Sequence, residues 1–322
     1  MPAYWLEATV VALGLLLLLI EAFGRSTSRE LVRRVAIGGL IFILVPFYFA
    51  VAPSPDNAEL SRFYVYDNWA IFFKLLALLS TILILFMAYD YRKVLNQFTE
   101  DPGSDHGTGE FYALPVFACA GMMWMASAHD LVSIFVALEL VTITFYILVA
   151  FMRRQVGSLE AGVKYLILGA LSTGFLVYGI AWIYGTTGTT NLPEIAIVLS
   201  DTQSDLASNP APLLFGLALI LLALAFKVGA VPMHIWIPDV YQGAPTPTTA
   251  FLSVGSKSAG FIVALRILDP FFTSDIMRTQ TTLIVLTLAS LTLLVGNLAA
   301  IPQNNFKRLL AYSSIAHAGF IL

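Results

Sequence analysis

The chain has 322 residues, 58% of them hydrophobic and only 11% charged, with a mean hydropathy of +0.83. Soluble domains carry about 25% charged residues, so this composition excludes an ordinary soluble enzyme and requires a polytopic helical membrane protein. The net charge of −3 is too small to indicate a nucleic-acid partner.

Apolar runs of spanning length predict helices near 4–23, 35–52, 69–89, 111–128, 130–151, 158–184, 212–231, 247–268, 279–300 and 306–322. The first run lacks a basic leader and is followed by four arginines, so it reads as a retained spanning helix rather than a signal peptide. Its carboxylates, Glu7 and Glu21, fall near the helix ends, where water can reach them. Lysine and arginine are distributed ten to three between alternating loops, which places the N-terminus on the non-cytoplasmic side. Two longer polar loops, 90–110 and 185–211, are too small to be catalytic domains. Tight turns at Ala128-His-Asp130 and Gln303-Asn-Asn305 recur at an offset that hints at an internal repeat, as in many transporters. Cys119, the only cysteine, has no partner for a disulfide or a metal site and reads as packing.

Four lysines remain inside apolar segments: Lys74, Lys164, Lys227 and Lys257. A lysine at the centre of a spanning helix costs about 2.5–3.5 kcal/mol on insertion scales, so it faces a polar interior or snorkels to an interface. Lys74 and Lys164 stand one or two turns from a helix end, and Lys74 reads as an interfacial anchor. Lys227 and Lys257 have less chance of escape. Glu139, nearly ten residues into its helix, is placed near mid-membrane. It is either a protonated carboxyl that holds helices together or an intramembrane functional charge, and the second reading is favoured. Close to Lys227, a carboxylate and an ammonium would each favour the other's charged form.

Pro232 cannot donate to the Val228 carbonyl and is expected to break the seventh helix beside Lys227. Backbone freed in this way is tolerated only where protein or water satisfies it. His234 either bridges Lys227 to Lys257 through water or is a neutral histidine bonded to backbone. Asp239 reads as a cap of the following turn. Small residues around Lys257 (Ser253, Gly255, Ser256, Ser258, Gly260) leave room for water. Lys164 either tunes these charges or anchors its helix. His317 lies in the last helix without a legible role. No phosphate loop, metal cluster or dinucleotide fingerprint is present in the sequence, so any transport must draw its energy from an ion gradient or a partner.

The string from Phe226 to Pro247 (FKVGAVPMHIWIPDVYQGAPTP), the following AFLSVGSK ending at Lys257, and Asn304–His317 (NNFKRLLAYSSIAH) resemble the antiporter-like membrane subunits of respiratory complex I. The resemblance is closest to the N-type subunit and covers the whole chain. It implies an all-α antiporter-like inverted-repeat fold with a broken seventh helix: residues 1–110 as three preceding helices, 111–268 as a complete five-helix repeat, and 279–322 as the start of an incomplete second repeat. It further implies proton transfer by Glu139, Lys164, Lys227, His234 and Lys257 in a bacterial plasma-membrane complex. No cofactor is expected in this chain. NAD, FMN, iron–sulfur clusters and quinone would belong to partner subunits, and the neighbours would be other membrane-arm subunits and lipid. Two alternatives are a sodium/proton antiporter subunit of the related multisubunit type and a non-transporting scaffold of the membrane arm.

Overall fold

A computed structural model describes residues 2–23, 28–53, 58–98, 108–200, 209–274 and 277–322. Parts of both long polar loops lie outside these residues. The described residues form a bundle of helices: α1 Tyr4–Phe23, α2 Ser28–Tyr48, α3 Ala58–Phe63, α4 Asn68–Leu95, α5 Glu110–Ser127, α6 Leu131–Val149, α7 Val156–Thr187, α8 Leu192–Ser200, α9 Ala211–Val228, α10 Trp236–Gly243, α11 Thr246–Phe251, α12 Lys257–Thr273, α13 Arg278–Ala300 and α14 Phe306–Ile321. Each of the ten expected spans has a helix, and eight spans are long and apolar enough by themselves to cross a membrane.

Caps explain several starts. Asp67 accepts a hydrogen bond from Ala70 N (2.8 Å) at the head of α4, and Asp130 accepts one from Val132 N (2.8 Å) at the head of α6. Such side chains satisfy amides that have no intrahelical partner. The second Asp130 oxygen accepts from Thr190 Oγ1 at 2.7 Å, which pins the α5–α6 turn to the end of α7. At about 1.5 Å per residue, the 32 residues of α7 extend about 48 Å. Its ends therefore pass beyond a hydrocarbon layer of about 30 Å, and it stops at Gly188, where φ is +74°.

The core is centred on α5, which is buried around most of its circumference and packs against α1, α4 and α6. Helices buried on all sides need small residues at their crossings, because lipid supplies little drive for association. Gly121 supplies one on α5: a Cβ there would lie 3.2 Å from the Ala137 carbonyl oxygen and closer still to Val141. Gly179 and Gly216 supply another, where α7 crosses α9.

Two spans depart from the course expected of them. The seventh span breaks at Gly229, three residues before Pro232. Gly229 adopts φ +80°, and its amide and that of Ala230 both return to the Ala225 carbonyl at 2.8 Å. A left-handed glycine ends a helix without the steric cost another residue would carry. The eighth span is also interrupted, because α11 passes through a π-helical turn, Leu252–Ser256, directly into Lys257.

Candidate functional site: a lysine pair at broken helices

Lys227, the penultimate residue of α9, is 2% exposed, and Lys257, the first residue of α12, is 6% exposed. Each lies against a glycine of the other's segment. A Cβ on Gly260 would stand 3.2 Å from Lys227 Cγ, and a Cβ on Gly229 would stand 3.5 Å from Lys257 Nζ. The glycine that ends α9 thus also makes room for the second ammonium.

Two backbone groups freed by the break are satisfied by side chains, as a bilayer interior demands. Trp236 Nε1 donates to the Phe226 carbonyl at 3.0 Å, and Val231 N donates to Thr292 Oγ1 on α13 at 3.0 Å. The π turn before Lys257 is a second irregularity. Single π turns recur at functional sites because they shift the side chains that follow them.

Lys227 Nζ donates to Thr142 Oγ1 at 3.0 Å, and that hydroxyl donates to the Leu138 carbonyl at 2.6 Å. Glu139 is one turn before Thr142 on α6, a spacing that puts both on one helix face. Its carboxylate accepts from Thr173 Oγ1 at 2.7 Å, near the middle of α7. No ion pair joins Lys227 to Glu139, so the expected coupling is indirect. Lys257 Nζ donates to Ser314 O (2.8 Å) and Ser314 Oγ (2.6 Å), reaching α14. Thr142 and Ser314 were not legible as site residues, since a hydroxyl in an apolar run carries no distinguishing pattern.

His234 is half-buried in the segment between α9 and α10, and its Nδ1 is buried without a hydrogen-bond partner. It bonds neither lysine directly. Tyr146 Oη, Tyr165 Oη and Ser256 Oγ are likewise buried and unpartnered. Tyr165 stacks on Phe226, next to Lys227, and packs edge-on to Tyr146. Ser256 immediately precedes Lys257. Buried polar atoms of this kind bind ordered water, and here they are distributed from the Glu139 side toward Lys257.

Lys164 differs from the other two. It is 42% exposed and pairs with Glu160 (2.7 Å) and Asp239 (2.8 Å). Asp239 is therefore not a turn cap: its second oxygen accepts from Arg308 Nη1 of α14 at 2.6 Å, so one carboxylate joins α7, α10 and α14. Burial would raise the Asp239 carboxyl, but hydrogen bonds from Lys164 and Arg308 hold it below the usual range. A depressed folded value makes the contribution to stability complete above about pH 4, the unfolded aspartate range. It is lost as pH falls through the lower folded value. The purified protein is expected to lose thermal stability progressively below about pH 4, and Asp239→Asn should flatten that part of the profile in a thermal-shift titration. An unchanged acid limb would show that the network adds nothing.

Lys74 and Glu7 correct the sequence reading. Lys74 is fully buried, Glu7 is 3% exposed, and the two form an ion pair with Nζ–Oε1 at 2.6 Å. Lys74 is therefore no interfacial anchor, and Glu7 is not solvated. Proximity to a helix end in sequence did not reveal that Tyr64 and α5 close over them. Cys119 is buried, with Sγ 3.9 Å from Met123 Sδ, as packing requires. Among the described residues, no group of three His, Cys, Asp or Glu side chains could hold a metal ion.

The family model described as "NADH:quinone oxidoreductase/Mrp antiporter, TM" matches residues 128–322. NADH-quinone oxidoreductase subunit N of Desulforamulus reducens is 42% identical over 319 residues, covering 98% of this chain and 63% of the relative. Among solved structures, a chain of respiratory complex I from Thermus thermophilus aligns with a TM-score of 0.73 at 30% identity. A chain of the archaeal membrane-bound sulfane sulfur reductase aligns with a TM-score of 0.76 at 26% identity. Both alignments cover 98% of this chain and 62% of the other. The chain thus spans under two thirds of the length of these relatives. The matched segment takes in more than half of the chain, and the chain belongs to the NADH:quinone oxidoreductase/Mrp antiporter transmembrane family.

Proposed function

We propose that this chain acts as the N-type subunit of a proton-translocating NADH:quinone oxidoreductase, in the membrane arm beside other antiporter-like subunits. NAD, FMN, iron–sulfur clusters and quinone would operate in partner subunits, and this chain would move protons through buried side chains. The observation that carries the reading is the crossed packing of Lys227 and Lys257, each with its ammonium in a bilayer-length bundle and beside a broken helix. Burying two such cations is costly without a functional return.

A proton enters by way of water and resides on Lys227. Glu139 acts on the protonated state of Lys227 through space and through the Thr142 turn, since no direct bond links them. The proton then passes toward Lys257 by way of water at His234, because the hydrogen bonds of the two lysines go to Thr142 and Ser314 and not to the imidazole. Hydroxyls of Tyr146, Tyr165 and Ser256 offer sites to that water. The N-terminus would face away from the cytoplasm, in a bacterial plasma membrane.

Lys227→Ala removes the central proton carrier. In the assembled complex in vesicles, quinone-coupled proton translocation is expected to fall sharply while subunit content is retained. Full translocation by that variant would sink the assignment. Sodium-dependent proton flux in the unmodified vesicles would instead favour cation exchange.

A further inference from the structure

A second set of buried protonatable groups lies away from the lysine pair, on helices outside the 128–322 segment that the family model matches. Lys74 on α4 and Glu7 on α1 form the 2.6 Å ion pair. Tyr64, in the segment between α3 and α4, donates its hydroxyl toward both Glu7 oxygens (3.2 and 3.3 Å) and accepts from Lys74 Nζ. The ammonium also lies over the Tyr64 and Tyr66 rings, at 4.5 and 5.0 Å. The other charged or titratable groups acting on the pair are Asp67 at the head of α4, Arg266 on α12 and Cys119 on α5.

The position of the cluster is informative. Arg266 holds Asp67 with two hydrogen bonds, at 2.8 and 3.1 Å, so these residues share one depth. They line a cleft of about 510 Å³ with His129 and Asp269. Lys74 is seven residues from Asp67 along α4, about 10 Å deeper, and Lys257 is nine residues from Arg266 along α12, about 14 Å deeper. Helix α4 packs against α12 and against the π turn, so the two lysines lie at similar depth on neighbouring elements. A cleft of about 250 Å³ is lined by Lys257 on α12 and by Phe73 on α4. It thus reaches α4 one residue from Lys74, whose own side chain is fully buried and does not line it. The cluster thus lies between the Lys257 level and the Asp67–Arg266 cleft.

A purely structural clasp is a poor explanation for this chemistry. Well-packed apolar residues generally hold helices together as firmly as a buried ion pair does, and ionisable groups in a bilayer default to function. We propose that Glu7, Tyr64 and Lys74 form a second proton-exchanging site, a branch by which a proton from Lys257 reaches the cleft at Asp67 and Arg266. An N–H bond of the Lys74 ammonium breaks and an O–H bond forms on Glu7, leaving a neutral amine and a carboxylic acid with no change in net charge. Glu7, which does not itself line the cleft, then releases its proton through intervening water toward Asp67 and Arg266, and the Lys74 amine takes one from Lys257 through water. The pair is restored after one proton has passed.

The inference rests on the proposed proton-translocating role, and the test separates the two. Lys74→Arg retains a cation for Glu7, but a guanidinium does not give up its proton. The whole respiratory complex carrying Lys74→Arg, reconstituted in vesicles, is expected to keep electron transfer and subunit content while losing protons translocated per electron. Infrared difference spectra on redox turnover should show a protonated-carboxyl band that Glu7→Gln abolishes. Unmodified translocation in Lys74→Arg would overturn the branch, with the clasp as its remaining role. If Lys74→Arg failed to assemble, a carboxyl band unaltered by Glu7→Gln, or no band at all, would overturn it equally. Lys227→Ala run alongside must itself lose translocation; if it does not, the functional reading fails first.

Discussion

Glu139→Gln is expected to lower proton translocation about ten-fold, the effect of roughly 1.4 kcal/mol of lost electrostatic support at Lys227. The substitution preserves side-chain size, and the amide oxygen can still accept from Thr173 Oγ1, so the α6–α7 contact survives and only the charge is removed. Thr142→Val probes the same lysine by another route. Thr142 Oγ1 is the one hydrogen-bond partner of Lys227 Nζ among the described residues, at 3.0 Å. A hydrogen bond to a charged group is worth about 1.5–3 kcal/mol, so its loss should disfavour the protonated lysine by ten-fold or more. Both substitutions act through one group, so their effects should not add. Proton flux in vesicles containing the single and double variants reads this directly. If the double variant shows the product of the two single effects, Glu139 and Thr142 act independently and the coupling is wrong.

The sequence was legible wherever one segment carried the whole signal. Apolar length located the spans, and the Phe226–Lys257 stretch located both lysines of the pair and a break between them. Contacts between distant segments were not legible. Proline was the visible helix breaker, yet Gly229 ends α9, because a left-handed residue is read from backbone geometry and glycine is common in membrane helices. Position in a run is a sound guide to depth but a poor guide to surroundings. By that measure Lys74 and Lys164 looked alike, yet one is sealed against Glu7 and Tyr64 and the other reaches Asp239 at the bundle's edge. The π turn before Lys257 has no sequence signature in an already helical stretch.

The bundle as a whole depends on close backbone approach, and this sets the largest expected effect on stability. At the α7–α9 crossing, a Cβ on Gly179 would lie 2.7 Å from the Gly216 carbonyl oxygen, 2.8 Å from Ile220 Cγ1 and 3.0 Å from Ile220 N. Two of these neighbours are backbone atoms, which cannot rotate away as a flexible side chain can. Gly179→Val must therefore force the helices apart, at a cost of about 1–3 kcal/mol or more for overpacking. The same shift would disturb the registration of α9, and with it Lys227 beside Thr142. Gly174 lies earlier on the same helix, and a Cβ there would meet nothing within 4 Å. Gly174→Ala should therefore be neutral, or stabilising by up to about 1 kcal/mol through helix propensity. Thermal unfolding in detergent should give a lowered midpoint for Gly179→Val and an unchanged or raised one for Gly174→Ala. Equal midpoints would mean that the Gly179–Gly216 approach does not govern how α7 and α9 pack, and that the position of Lys227 is fixed by other contacts.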